Sequence, residues 1–220
     1  MTTSLPLPVR LALLLSVAVL VVGCQTAYYA TMEKLGYHKR DILVSRVQDA
    51  RESQEEAKTQ FQSALEQFSS VVNFRGGDLE ATYNRLSTEL SQSEARAQTV
   101  HTRIAAVEEV AEALFQEWEA ELAQYTNDTL RRASARQLAL TRQRYTPLMH
   151  AMKRAEAKMT PVLAAFRDHV LFLKHNLNAQ AIAALQQELV VVETDIAALI
   201  RAMEASIAEA DAFIKTLSQG

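Results

Sequence analysis

The chain is 220 residues long, 49% apolar and 22% charged, with 23 Lys and Arg against 26 Asp and Glu. That is enough apolar content for one domain with a real core, and a net charge of −3 leaves no net-basic surface to hold nucleic acid.

Residues 1–23 carry one base, Arg10, no acid, and an apolar run of twelve residues from Leu11 to Val22. Twelve helical residues rise only about 18 Å, short of a bilayer core of roughly 30 Å, so the run reads as a signal peptide rather than a permanent span. Pro6, Pro8 and the thin basic flank make its beginning slightly untypical. The string Leu20-Val21-Val22-Gly23-Cys24 ends in the chain's only cysteine and resembles the lipobox at which bacterial lipoproteins are cleaved and acylated. On that reading Cys24 becomes the lipid-bearing N-terminus, and stable anchoring takes more than one acyl chain. Gln25 follows it rather than an aspartate, the familiar inner-membrane retention residue, which points to the periplasmic side of the outer membrane. The alternatives are an ordinary signal peptide cut elsewhere, or an uncleaved anchor in which Cys24 is a small buried hydrophobe. Removing 23 of 220 residues leaves 197, and Arg10 goes with them, so 22 bases against 26 acids give the mature part a net charge of −4. The expected organisation is a signal peptide over 1–23, a lipid-anchored tether and first helical residues over 24–38, and one helical bundle over 39–220.

Glycine and proline stand at the joints, at Gly36, Gly76, Gly77, Pro147 and Pro161, and the stretches between are rich in Ala, Leu, Glu, Gln and Arg. Those residues cost least in a helix interior, so the fold is expected to be all-α. A first seam steps through Leu43, Val47, Ala50, Gln54, Ala57, Phe61, Ala64, Phe68 and Val71, and ends at Arg75-Gly76-Gly77, with Asp78 placed to cap the next helix. The second runs through Leu79, Tyr83, Leu86, Leu90, Ala97, Val100, Ile104, Val107, Ala111, Leu114, Trp118 and Tyr125, broken at Ser93 and Glu121. Asp128 is the expected cap beyond it. The third keeps register from Leu138 through Met152, Met159 and Phe166 to Leu173, across Pro147 and Pro161. Thr146-Pro147 and Thr160-Pro161 look like N-cap and N1 pairs, which predicts either a kinked helix or shorter helices end to end. After His175 to Asn178 the fourth seam runs from Ile182 to Leu217, with Ser206 polar. Second stripes, Ile200, Ile207 and Ile214, and Met149, Leu163, Val170 and Leu177, widen the last two faces. Faces that wide favour an elongated antiparallel bundle of four coiled-coil-like helices over a two-stranded coil. The same seams are equally able to serve between copies of the chain, so self-association stays open.

Near the start, Tyr28-Tyr29, the run Glu33-Lys34-Leu35-Gly36-Tyr37-His38-Lys39-Arg40-Asp41-Ile42-Leu43-Val44, and Arg46-Val47 form a distinctive block. It is similar to one shared by an uncharacterised family of bacterial coiled-coil lipoproteins known only as a domain of unknown function. The resemblance extends over the mature chain and implies a periplasmic coiled-coil lipoprotein, with no catalytic residue to carry over. Physically, His38, Lys39 and Arg40 lie close enough to Cys24 to meet anionic head groups, and Tyr28, Tyr29 and Tyr37 suit a membrane interface. The same residues could equally dock a protein, or simply solvate the first turn and pack on the bundle end.

The histidines, His38, His101, His150, His169 and His175, have no partner three or four residues away, and no Glu-x-x-His pair is present, so no metal or other cofactor is expected. His169 sits in the third seam and reads as a core residue. The acidic run Glu108, Glu109, Glu112, Glu117, Glu119 and Glu121 reads as a solvated face, and Gly76-Gly77 as a turn without a phosphate-loop pattern. The expectation is a non-catalytic scaffold or adaptor of the cell envelope, anchored to membrane lipid through Cys24 and working with an envelope protein partner. The alternative is a lipid or small apolar ligand-binding module opening near Trp118 and Phe115.

Overall fold

The computed structural model describes residues 38–76 and 78–218, and the signal peptide, Cys24, Tyr28, Tyr29 and Tyr37 lie outside them. Among the described residues it contains four helices and no strand: α1 (Lys39–Val72), α2 (Leu79–Leu122), α3 (Asp128–His175) and α4 (Ala179–Ser218). The chain falls into two compact units, Met1–Ile42 and Leu43–Gly220, and the second holds the four-helix core.

α2, α3 and α4 each begin where a side chain can accept from the free amides of the first turn. Asp78 Oδ1 accepts from Ala81 N at 2.9 Å, and Asn178 Oδ1 from Ala181 N at 3.0 Å. The cap of α3 is Asn127, whose Oδ1 accepts from Thr129 N at 2.9 Å and Leu130 N at 3.1 Å. This corrects the expectation of Asp128, which instead lies inside the first turn, where its charge favours the positive end of the helix dipole. At the end of α1, Asn73 Nδ2 donates to Ser69 O at 2.9 Å, and Gly76 then takes a φ of +145°, a value that side chains rarely allow.

The third arm is one helix of 48 residues with Pro147 and Pro161 inside it. The Thr-Pro pairs are not helix starts: Thr146 Oγ1 donates back to Arg142 O at 3.0 Å, as a residue within a helix does. Both prolines lie on the exposed face, as do Gln143 and Ala157, whose carbonyls lose their donors there and can turn to water.

All nine residues of the first seam, Leu43 to Val71, are buried. The second seam is buried at Leu86, Leu90 and from Val100 to Leu114, the third from Leu148 to Leu173 apart from half-buried His169, and the fourth from Ile182 to Leu217 apart from half-buried Leu189. The antiparallel order follows from the cross-links. Asp49 and Glu56 of α1 pair with Arg103 and Arg96 of α2, at 3.3 and 2.5 Å, and Gln60 Nε2 donates to Glu89 Oε2 at 2.6 Å. Arg51 reaches Asp211 of α4 at 2.9 Å, and Gln186 Nε2 donates to Val72 O at 3.1 Å. Between α2 and α3, Lys153 pairs with Glu108 at 2.7 Å and Arg142 with Glu119 at 2.5 Å. The backbone of α3 approaches α2 and α4 closely, and α1 closes the core across from it, with Phe68 edge-on to Phe166 at 6.0 Å.

Candidate contact surfaces at the ends of the bundle

The described members of the sequence block sit at the start of α1. His38 is exposed, and its carbonyl accepts from Asp41 N at 2.9 Å and Ile42 N at 3.1 Å, so it fills the backbone role of a cap. Lys39 and Arg40 occupy the first turn, half-buried and each with an interaction partner, while Asp41 supplies the acid that suits a helix start. The structure therefore places His38, Lys39 and Arg40 next to one another, and Cys24, Tyr28, Tyr29 and Tyr37 fall outside its reach.

At the free ends of α2 and α3 the register can be read directly. Asp49 faces Arg103, so Leu43, six residues earlier, stands near the level of Glu109, six residues later. Phe213 meets Tyr145 at 6.3 Å, so Ser218 stands near the level of Leu140. Within the unit Leu43–Gly220 only α2 and α3 continue beyond those levels, and no residue from 116 to 137 is fully buried. The base of this two-helix extension is an aromatic cluster. Phe115, 8% exposed, meets Tyr145 edge-on at 5.4 Å, and the Arg142 guanidinium lies 5.1 Å from the Phe115 ring centre. The hydrogen bond from Arg142 holds the Glu119 carboxyl below the usual carboxylate range, and burial pushes the Tyr145 hydroxyl well above its ordinary pKa. Trp118 Nε1 donates to Ser134 Oγ at 2.8 Å. Phe115 is thus core, and Trp118 is a half-buried strut between α2 and α3. Along the extension Tyr125 and Leu130 remain 41% and 56% exposed, and Leu140 lies exposed at its base.

The opposite end carries a second set of exposed apolar residues: Leu171, Phe172 and Leu177 around the end of α3, and Val190 and Val191 on α4. The second stripe of α3 therefore does not stay buried to its end, because Leu177 belongs to the turn. Beside that turn a groove of about 430 Å³ is lined by Phe74, Arg75, Gly76, Leu79, Ile182 and Gln186 among others. A further, more polar groove of about 410 Å³ runs between α2 and α3, where His101 pairs with Glu156 and Arg167 with Glu94. Met159 and Leu163 form its floor. Sequence periodicity does not reveal these grooves, which depend on which helix faces which.

His169 is half-buried and stacked on Phe68, with ring centres 5.0 Å apart and planes 28° from parallel. Burial lowers its pKa, against the opposing pull of Glu188 and Asp168. No group of three or more His, Cys, Asp or Glu side chains able to hold a metal ion occurs among the described residues. Nor is any described helix long and apolar enough to cross a membrane.

Compared with known families, residues 28–217 match the model described as protein of unknown function (DUF2959). No curated protein and no solved structure matches the chain.

Proposed function

From the premise that the chain belongs to the DUF2959 family of proteins of unknown function, we propose that it is a lipid-anchored, non-catalytic scaffold or adaptor of the bacterial cell envelope. In this reading residues 1–23 are a signal peptide, Cys24 is cleaved free and acylated, and the bundle faces the periplasm from the outer membrane. The helical unit acts by shape and contact. The observation that carries the reading is the exposure of apolar side chains at the ends of a unit whose seams are otherwise closed: Leu130 and Tyr125 at one end, Leu171 and Phe172 at the other. Grouped apolar exposure of this kind marks contact surfaces. The Leu-Val-Val-Gly-Cys string supports the anchor. His38, Lys39 and Arg40, with the tyrosines before them, are the residues assigned to the surface that meets lipid head groups or the partner.

Cross-linking in intact cells, followed by affinity purification and mass spectrometry, tests this, with Cys24→Ser as the control. A reproducible envelope partner, lost in Cys24→Ser, is expected. Recovery of the chain with no protein partner from both forms would overturn the adaptor reading.

A lipid or small apolar ligand-binding role is the second reading, and the groove beside Phe74, Leu79 and Ile182 is what favours it. That groove stands at the turn end, away from Phe115 and Trp118, whose side chains are taken up in packing and in the bond to Ser134. Apolar material that co-purifies with the wild type and is lost in Ile182→Trp would support this role, and its equal retention in both would end it.

A further inference from the structure

We infer that the groove at the turn end of the unit takes a single acyl chain with an anionic head, the chain lying along Phe74, Leu79 and Ile182 and the head meeting the guanidinium of Arg75. This rests on the ligand-binding reading above and gives that ligand its chemical class.

The groove forms where two joints of the fold come together. Phe74 and Arg75 follow the end of α1, and the +145° φ of Gly76 turns the chain towards α2, which begins at Leu79. On the other side α4 begins at Ala179, and one turn later Ala183 lines the groove as well, with Ile182 beside it. Both alanines are exposed, Phe74 and Leu79 are half-buried, and Ile182 is 8% exposed. Small side chains at Ala179 and Ala183 thus leave an apolar trough of about 430 Å³. That lies towards the lower end of the roughly 300–1,000 Å³ usual for ligand pockets, a size for one alkyl chain rather than for a two-chain lipid.

The lining selects what can enter. Polar groups around the trough are already engaged with the protein's own backbone: Gln186 Nε2 donates to Val72 O at 3.1 Å, Phe74 N to Val71 O at 3.2 Å, and Ile182 N to Asn178 O at 3.2 Å. A peptide laid in the trough brings a donor and an acceptor with nearly every residue, and burying them without partners is costly. An alkyl chain brings none.

Arg75 sets the head group. It is exposed at the rim and enters no ion pair among the described residues, whereas Arg51, Arg96 and Arg167 each reach a carboxylate on another helix. Asp78, the acid nearest to it in sequence, turns its Oδ1 to Ala81 N at 2.9 Å. A planar guanidinium offers two parallel hydrogen bonds to a carboxylate or a phosphate. Fatty acids and single-chain lipid phosphates share that form, an apolar chain ending in anionic oxygens.

The test uses the purified full chain in an uncharged detergent at about pH 8, where a carboxylic acid is ionised. Three photoreactive probes carry a diazirine at the end of the chain: dodecanoate, dodecyl phosphate and, as the uncharged control, methyl dodecanoate. The anionic probes are expected to label the peptides that contain Phe74 or Ile182, and the ester about tenfold less, the worth of one charge-assisted contact. The better labelled of the two anions identifies the head. Arg75→Gln should bring both anions down to the level of the ester, and Arg75→Lys should retain part of the difference. Ala183→Trp fills the trough from an exposed position and should abolish labelling by all three probes while circular dichroism stays unchanged. Labelling by the ester as strong as by the anions, or Arg75→Gln labelled like the wild type, would overturn the inference and leave the apolar ligand reading standing. Absence of label from those peptides with every probe would end both.

Discussion

The indole of Trp118 on α2 donates a hydrogen bond to the hydroxyl of Ser134 on α3, 2.8 Å away, across the hairpin that those two helices form. Trp118 is the chain's only tryptophan, so its fluorescence reports on that hairpin alone. Ser134→Ala should cost about 0.5–1.5 kcal/mol in urea unfolding, the usual worth of one such bond, and shift the emission before the global transition. An emission change coincident with the loss of helix would show that the hairpin does not loosen by itself.

Gln54 and Ser206 are wholly buried, and neither the amide atoms of the first nor the hydroxyl of the second has a hydrogen-bond partner among the described residues. They also stand at nearly the same level of the core, since Arg51 and Asp211, a turn or so away on the same two helices, are paired. An unpaired buried amide costs about 1–3 kcal/mol, so Gln54→Leu, similar in volume, should stabilise the chain by that order. A loss of stability in guanidinium unfolding would mean that the amide is satisfied after all.

Phe68 fills the centre, with Phe166 on its edge and His169 on its face. Phe68→Ala should destabilise the chain by about 3–5 kcal/mol, the range for truncating a buried aromatic. A cost below about 1 kcal/mol by calorimetry would contradict the packing described.

Burial of His169 disfavours its charged form, so its pKa lies below the ordinary 6.5 in the folded chain. Below pH 6.5 the unfolded chain then binds the proton more readily than the folded one. This part of the stability is present above 6.5 and is lost as the pH falls below it. His169→Leu should flatten the stability profile between neutral pH and the mid-fives, while the wild type weakens there. Glu119 has the acid counterpart: its carboxyl is held low by the hydrogen bond from Arg142, so its contribution is present above the ordinary 4.5 and fades as the pH falls further. Parallel profiles for wild type and His169→Leu would assign the loss elsewhere.

The seams were legible because burial in a bundle repeats with the helix turn: all nine positions from Leu43 to Val71 face inward, the polar Gln54 included. Caps were legible to within one residue, since Asn127 and Asp128 both favour that position and only backbone geometry separates them. The prolines were misleading. Pro147 and Pro161 mark a stop only where the freed carbonyls lack water, and here they lie on an exposed face of one long helix. What periodicity cannot express is where neighbours end. The second seam reads the same at Ile104, which is fully buried, as at Tyr125, which is 41% exposed. The grooves and the Arg142 cover over Phe115 follow from that lateral arrangement.

The anchor at Cys24 underlies the proposed role, and its most direct test is the mass of the N-terminal peptide of the chain isolated from bacterial membranes. The account predicts a peptide that begins at Cys24, lacks residues 1–23 and carries more than one acyl chain, with Cys24→Ser released from the membrane. An N-terminus elsewhere, an unmodified Cys24, or a Cys24→Ser chain still tightly bound would contradict it.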